Sequence, residues 1–238
     1  MLKSLIDMIY PRRCPICGDI AIPKPQKACM KCIDSLQVIK EPRCKKCSKP
    51  VEKEEQEYCL DCSKIEYHYE KGYALWVYDR IMKKSIADFK FRHKKEYADF
   101  YVEQLVNHFY YVIKEWEADA FVPVPLHKSK LKERGYNQAD LIAQGLGHYL
   151  DIPVLSHYLS RSKKTLPQKE LNEKERLKNL SEAFSFTQNK CYNRTISRVI
   201  LIDDIYTTGS TIEACADVLL RNGIEKVYFI SLCIGKGY

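Results

Sequence analysis

Long hydrophobic runs are missing from this chain of 238 residues. A helix that spans a bilayer needs about 20 apolar residues in succession, and no stretch of the sequence approaches that length. The N-terminus has a short apolar run, but Asp7 interrupts it and no small-residue cleavage site follows. These absences argue against a membrane span and against a secretory signal peptide. We therefore expect a cytoplasmic protein.

The composition is that of a soluble globular protein, with 45% apolar and 29% charged residues. The length allows one medium domain and one small domain. Eleven cysteines are the unusual feature, and in a cytoplasmic protein they indicate metal binding or catalysis rather than disulfides. Because eight of them lie between residues 14 and 62, we predict a cysteine-rich domain over residues 1–70 and a second domain over residues 71–238.

These eight cysteines form four CxxC pairs in a strict repeat, with eleven residues between one pair and the next. A CxxC turn places two thiolates on one side of a metal ion, and a second pair completes a tetrahedron. The repeat therefore predicts two structural Zn²⁺ ions. Their ligands would be Cys14, Cys17, Cys29, Cys32, Cys44, Cys47, Cys59 and Cys62.

The spacing leaves the pairing of the four knuckles open. Sequential sites are favoured, because eleven-residue loops can close as β-hairpins, although a cross-braced arrangement has the same spacing.

Zinc also changes the charge balance. The formal charge is +8, but two four-thiolate sites of about −2 each would lower it to about +4. Overall charge is therefore little evidence for a nucleic-acid partner, and local clusters matter more.

Apolar strand patterns alternate with helical patterns from residue 73 onward. This alternation predicts an α/β domain with a mainly parallel sheet. The near-continuous apolar run at 198–204 is expected of a central parallel strand. The other predicted strands are 73–78, 119–125, 183–187 and 226–234, and the predicted helices are two within 80–115, one at 137–150 and one at 210–223.

The strand at 198–204 ends in two acids, Asp203 and Asp204, and a hydroxyl-rich turn with one glycine follows. A turn from a strand into a helix presents free backbone N–H groups and suits a phosphate. Carboxylates do not bind phosphate, but they accept hydrogen bonds from ribose hydroxyls or hold Mg²⁺. The combination predicts a site for a phosphorylated ribose. The alternative is a capped helix entry with solvated acids.

This segment resembles the phosphoribosyl-pyrophosphate motif of type I phosphoribosyltransferases. The segments 122–143, 165–184 and 199–211 follow the cysteine knuckles in this order, and the whole resembles the ComF family. The resemblance covers almost the entire chain. It implies a type I phosphoribosyltransferase-like fold, in which a mainly parallel sheet flanked by helices is preceded by a small N-terminal double zinc-ribbon module.

The resemblance also implies a ligand, phosphoribosyl pyrophosphate with Mg²⁺, and assigns residues to it. Asp203 and Asp204 match the ribose-binding acids. The 5-phosphate loop would be Thr207, Thr208, Gly209, Ser210 and Thr211, and the pyrophosphate loop would be Pro123, Val124, Pro125 and Leu126. Arg134 and Arg176 match family positions without an assigned role. Residues 161–180, which are polar and contain Pro167, are the candidate for a loop that closes over the site.

The family's biology implies handling of incoming single-stranded DNA in natural transformation. The partners implied are the competence ATPase or helicase and the protein that loads recombinase onto single strands. The alternative is an active phosphoribosyltransferase, amidophosphoribosyltransferase-like or salvage-like, that transfers ribose 5-phosphate to an acceptor. The sequence contains no recognisable segment for base specificity, so the acceptor is unassigned.

A basic segment at 80–95 holds seven Lys or Arg and one acid, and aromatic residues are interleaved with it. Cations that follow a phosphate backbone and aromatic rings that stack on bases would suit single-stranded nucleic acid. Capture of pyrophosphate and an ordinary solvated helix face are the other interpretations. The residues proposed for DNA or pyrophosphate contact are Lys90, Arg92, Lys94, Lys95 and Arg134.

Overall fold

We analysed a computed structural model, which describes residues 11–23, 25–162, 182–187 and 195–235. The proposed closing loop lies outside these ranges from residue 163 onward, as do Arg176 and Cys191. Within the described ranges, none of the helices is both long enough and apolar enough to cross a bilayer.

The larger part of the chain is a parallel sheet with helices on both faces. The strands are β1 (Gly72–Val77), β2 (Ala120–Pro123), β3 (Leu159–Arg161), β4 (Phe184–Phe186), β5 (Arg198–Tyr206) and β6 (Lys226–Ile234). The helices are α1 (Met30–Asp34), α2 (Leu60–Lys64), α3 (Arg80–Phe91), α4 (Tyr97–Glu115), α5 (Lys128–Arg134), α6 (Gln138–Leu150) and α7 (Ser210–Arg221). The main sheet has the order β1–β6–β5–β2, and all its pairs are parallel.

The predicted architecture is confirmed, because the parallel sheet is flanked by helices and preceded by two four-cysteine groups. The segment 198–204 is the predicted central strand, extended to Tyr206. The short strand predicted at 183–187 belongs instead to a separate antiparallel pair, β3–β4. Helix α5 and strand β3 were not predicted, because one consists largely of charged residues and the other has three residues.

The side chains of β5 alternate between two apolar cores. Ile200 and Ile202 belong to the core that contains the apolar faces of α3, α4 and α6, whereas Val199 and Leu201 belong to the core under α7. All four are fully buried. A strand that is covered on both faces has no solvent-facing side, which is why its sequence is a continuous apolar run.

The two ribbons have the same construction. Antiparallel bridges join Arg13 to Ile20 and Arg43 to Pro50 around the first and third knuckles. The third cysteine of each ribbon, Cys29 or Cys59, is the N-cap of a five-residue helix. Each bridge encloses a CxxC turn rather than an eleven-residue loop, so the described residues do not show the hairpins expected in those loops. A helical turn presents the second cysteine pair.

The ribbons are joined to the sheet along the free edge of β1. Ile39 N–H donates to Leu75 O at 3.0 Å, and Val77 N–H donates to Gln37 O at 3.0 Å. On the opposite edge of the sheet, Phe121 N–H donates to Pro153 O at 2.9 Å. Both edges of the main sheet are thus hydrogen-bonded to neighbouring chain, which removes the exposed backbone groups of an open edge.

Candidate functional site

The eight predicted zinc ligands form two groups that are sequential along the chain. Cys14, Cys17, Cys29 and Cys32 form one group, and Cys44, Cys47, Cys59 and Cys62 form the other, with all sulfurs of a group within 4.8 Å of one another. The pairing favoured from the sequence is the one found.

The sulfur positions fit Zn²⁺. A tetrahedron with zinc–sulfur bonds of about 2.3 Å has sulfur–sulfur edges of about 3.8 Å. The Sγ atoms of Cys17 and Cys29 are 4.0 Å apart, and those of Cys47 and Cys59 are 3.6 Å apart. In the first site, Cys29 N–H also donates to Cys14 Sγ at 3.4 Å. Each site offers four thiolates and no open ligand position, which is typical of structural zinc.

A cleft opens at the carboxyl ends of β5 and β2, where parallel α/β sheets bind ligands. It contains residues from every region that the sequence assigned to a phosphorylated ribose. The residues that line it are Lys90, Val124, Pro125, Leu126, Lys130, Arg134, Asn137, Gln138, Ala139, Arg161, Asp203, Asp204 and Thr211. Of the residues predicted for the pyrophosphate loop, Pro123 alone is not part of the lining, because it is the buried last residue of β2.

The two acids have different environments although they are neighbours. Asp204 lies on the α3 side of β5, where Lys90 Nζ is 2.8 Å from its Oδ1 and 2.7 Å from its Oδ2. Asp203 Oδ1 accepts the Asp204 N–H at 2.8 Å. Burial and the negative charge of Asp204 raise the pKa of Asp203 to about 7. The Asp204 carboxylate is therefore compensated by a cation, whereas the Asp203 carboxyl retains its proton up to about pH 7.

The predicted 5-phosphate loop is a tight turn into α7. Gly209 has φ = +80°, a left-handed conformation that a side chain would strain. A Cβ atom there would stand 2.3 Å from Tyr206 Oη. Thr208 Oγ1 and Ser210 Oγ are 2.8 Å apart. Thr207 and Thr208 are exposed, and the cleft reaches this loop at Thr211 in the first turn of α7.

The pyrophosphate-loop region is braced from both sides. Val124 N–H donates to Ile202 O at 2.9 Å, which extends the β2–β5 pairing. Asn137 is the N-cap of α6, and its Nδ2 donates to Val124 O at 3.0 Å. The first residues of α6, Gln138 and Ala139, therefore face the cleft. The positive end of the α6 dipole lies here, and the Ala139 N–H already donates to Asn137 Oδ1 at 3.2 Å.

Two buried donors of the cleft have no acceptor among the described residues, namely Arg134 Nε and Gln138 Nε2. Arg134 is 9% exposed and Gln138 is 1% exposed. They bind each other once, through Arg134 Nη1 and Gln138 Oε1 at 2.9 Å. Unsatisfied buried donors are costly and need a partner, and an anion in the cleft would supply one.

The cleft also concentrates positive charge. The pKa of Lys130 is lowered by its partial burial and by the positive charges of Arg134, Arg161 and Lys90. Lys130, Gln138 and Arg161 were not among the predicted site residues. Gln138 belongs to the segment 122–143 that carried the family resemblance, and that is the signal by which it could have been found.

The structure divides the residues proposed for DNA contact into two groups. Lys90 and Arg134 lie in the cleft. Arg92, Lys94 and Lys95 lie outside it, where Arg92 pairs with Asp88 at 3.2 Å and Lys94 with Glu96 at 3.7 Å. Among the interleaved aromatics, Phe89, Tyr97 and Tyr136 are core residues, whereas Phe91 is 60% exposed. The guanidinium of Arg134 stacks 4.9 Å from the centre of the Phe91 ring.

The N-terminal part matches the double zinc ribbon domain over residues 5–63. Competence protein F of Haemophilus influenzae is 42% identical over 109 residues, which cover 46% of this chain and 47% of that protein. Competence protein ComFC of Bacillus subtilis is 34% identical over 153 residues, which cover 63% of this chain and 58% of that protein. DNA utilization protein YhgH of Escherichia coli K12 is 36% identical over 115 residues, covering 48% and 49%.

Solved structures show only a distant likeness. The purine phosphoribosyltransferase from Pyrococcus horikoshii aligns with a TM-score of 0.34 and 15% identity, covering 58% of this chain and 85% of that chain. A hypoxanthine phosphoribosyltransferase from Staphylococcus aureus aligns with a TM-score of 0.34 and 13% identity, covering 59% and 64%. The matches span about half the length of the first curated relatives. Over the matched regions the chain is thus similar to Competence protein F and to ComFC, and a double zinc ribbon match precedes its parallel α/β sheet.

Proposed function

We propose that the cleft binds phosphoribosyl pyrophosphate with Mg²⁺, and that the protein uses this site while it handles single-stranded DNA. The observation that carries the proposal is the pair of unsatisfied donors, Arg134 Nε and Gln138 Nε2, in the same cleft as Asp203 and Asp204. The donors call for an anion. The acids call for hydroxyl groups or a divalent cation.

The arrangement of the cleft supports a ligand that is anionic at both ends. The first turn of α6 and the first turn of α7 both contribute to the lining, through Gln138 and Thr211. Each helix N-terminus favours negative charge. The acid pair shares the cleft with both, which suits a ribose whose 5-phosphate binds at α7 and whose pyrophosphate binds near Arg134.

Calorimetry with ligand fragments tests this arrangement. Arg134→Gln should lower the affinity for pyrophosphate and for phosphoribosyl pyrophosphate but leave the affinity for ribose 5-phosphate unchanged. Thr211→Val should lower the affinity for ribose 5-phosphate and leave the affinity for pyrophosphate unchanged. Lys84→Gln is the matched control, because Lys84 is an exposed residue of α3 outside the cleft. If the wild-type protein binds none of these ligands with Mg²⁺, the proposal is wrong.

A role in DNA handling is supported by the names of the relatives, two competence proteins and a DNA utilization protein. The surface that fits a single strand is the rim formed by Phe91, Arg92, Lys94 and Lys95. It combines one exposed ring with cations, as a stacking platform requires. Lys90 is excluded from this surface, because its ammonium group is bound to Asp204.

Fluorescence anisotropy with a labelled single-stranded oligonucleotide tests the rim. Arg92→Glu with Lys94→Glu and Lys95→Glu should weaken binding and flatten its dependence on salt by about two to three released ions. Phe91→Ala should weaken binding without changing that slope. Unchanged affinity in both variants would remove the rim from DNA binding. Pyrophosphate release measured on the same samples would reveal ribose transfer, the alternative use of the cleft.

A further inference from the structure

The segment that leaves the second zinc site runs beside the predicted 5-phosphate loop. We call residues 66–69 the connector. Tyr67 O–H donates to Thr208 O at 2.8 Å, and the hydroxyls of Tyr69 and Tyr206 are 2.8 Å apart. These contacts join the end of the ribbon to the last residue of β5 and to the middle of the turn between β5 and α7.

A third contact fixes the connector to the first turn of α7. His68 N–H donates to Glu213 Oε2 at 2.9 Å, and the His68 ring pairs with Glu213 Oε1. Glu213 is 6% exposed, and its own N–H donates to Gly209 O at 2.8 Å. The buried Glu213 carboxylate thus binds both the backbone N–H and the ring of His68. Glu213 belongs to α7, the helix that follows the loop.

The connector also shares a core with the second zinc site. Tyr67 and Tyr69 stack with ring centres 5.2 Å apart, and both belong to the core that contains Cys44, Cys47 and Cys59. Lys46, between the third pair of cysteines, places its Nζ 5.2 Å from the Tyr69 ring. The first zinc site has no comparable position, because Cys14 belongs to the core on the opposite face of the sheet.

The loop depends on these rings for its shape. A Cβ atom at Gly209 would meet Tyr206 Oη at 2.3 Å and Tyr67 Cε1 at 3.2 Å, so the two tyrosines enclose the backbone of Gly209. The Tyr67 hydroxyl then binds the carbonyl of the preceding residue, Thr208. A Thr208 carbonyl held in this direction keeps the N–H of Gly209 turned away from Tyr67, because the two groups share one planar trans peptide unit.

We propose that the second zinc site positions the 5-phosphate loop through the connector, with Tyr67 as the positioning residue. Zinc bound by Cys44, Cys47, Cys59 and Cys62 keeps the connector in place, and the connector keeps residues 207–211 in the form that takes a phosphate. The first zinc site supports folding but not this loop. The ligand part of this proposal rests on the function proposed above, whereas the effect on the loop does not.

Coupling between two sites is reciprocal. If zinc at the second site favours phosphate binding at the loop, then a phosphate ligand must raise the affinity of the second site for zinc by the same factor. Loss of one hydrogen bond changes an equilibrium roughly fivefold. Tyr67→Phe keeps the ring and removes the hydroxyl donor, so it should lower the affinity for ribose 5-phosphate about fivefold.

Hydrogen–deuterium exchange tests the loop without any ligand. In zinc-loaded protein, Tyr67→Phe should raise exchange of the amides at 207–211 and leave β6 unchanged. Tyr58→Phe is the matched control, since Tyr58 is an exposed tyrosine of the same ribbon. Unchanged exchange at 207–211 in Tyr67→Phe overturns the proposal. Raised exchange in a protein that fails to bind ribose 5-phosphate would support the positioning role and refute the proposed ligand.

Equilibrium competition for zinc with a chromogenic chelator tests the reciprocal effect. In the wild-type protein, ribose 5-phosphate should raise the chelator concentration that is needed to remove one of the two zinc ions. In Tyr67→Phe that protection should be lost, while it persists in Tyr58→Phe. If ribose 5-phosphate binds but protects both ions equally or neither, the loop is not coupled specifically to the second site and the proposal is overturned.

Discussion

Replacing Asp203 with asparagine should stabilise the protein near neutral pH. The pKa of this carboxyl is raised from 3.8 to about 7 by burial and by Asp204. As pH rises from 4 to 7, the unfolded chain releases the Asp203 proton and the folded chain retains it, so the wild-type protein loses stability over this window. An asparagine does not titrate, and its oxygen can still accept the Asp204 N–H that Asp203 Oδ1 accepts now.

The size of the effect follows from the shift. About three pKa units correspond to a ceiling of about 4 kcal/mol at pH 8, and to roughly half of that at pH 5.5. Because Asp203 is only partly buried, solvent screening lowers the gain, and we expect about 1 to 3 kcal/mol at pH 8. For a domain of this size, this raises Tm by about 3 to 10 °C.

Denaturant unfolding at pH 5.5 and pH 8, with free Zn²⁺ held constant, measures this gain. Asp204→Asn is the informative comparison. It removes the partner of Lys90, whose side chain is 17% exposed, so it should lose about 1 to 3 kcal/mol. Asp203→Asn and Asp204→Asn should therefore change the free energy of unfolding in opposite directions. An Asp203→Asn protein that is less stable than wild type at pH 8, or equally stabilised at both pH values, would refute the reasoning.

Three further predictions concern the loop, the ligand and the zinc. Gly209→Ala should destabilise the protein and weaken the binding of ribose 5-phosphate. Gly223 also has a positive φ but has open space around it, so Gly223→Ala should cost only about 1 kcal/mol of stability. Thermal melts measure both stabilities and calorimetry measures the binding; an equal loss of stability in the two variants would contradict the clash predicted at Gly209. The affinity for Mg²⁺–phosphoribosyl pyrophosphate, measured by calorimetry across pH, should rise as pH passes about 7, because Asp203 must lose its proton before it can hold the metal. A flat profile would contradict this. Removing zinc with a chelator should lower the Tm of the whole protein in one transition by circular dichroism, because ribbon residues share both cores of the sheet; an unchanged sheet transition would show that the ribbons are independent.

The sequence predicted the features that repeat or alternate. Four CxxC pairs at fixed spacing specified the zinc ligands, and the apolar run before Asp203 specified a central strand. Such features are local, because each depends on residues close together in the chain. The same holds for α3, where Asp79 caps the helix and Met82, Ile86 and Phe89 share one buried face.

The contacts that give the cleft its chemistry could not be predicted, because they join distant residues. Nothing in the basic segment 80–95 distinguishes Lys90 from Arg92, yet one pairs with Asp204 in the cleft and the other faces solvent. Likewise, Tyr67 reaches Thr208 across 141 positions of the chain. A residue pattern indicates which faces are apolar, but the depth of each cation within a cleft depends on how helices pack on the sheet.

The position of β6 has a consequence for the order in which the sheet is assembled. Among the strands of the described residues, β6 comes last in the sequence and lies between β1 and β5, so during synthesis β1 has no neighbour among these strands until the chain has passed residue 226. The ribbon segment at Gln37–Ile39, in contrast, is already available to pair with β1. The zinc ribbons can thus hold the growing strand before the sheet exists, and a chain that stops short of β6 would lose the middle of its sheet rather than an end.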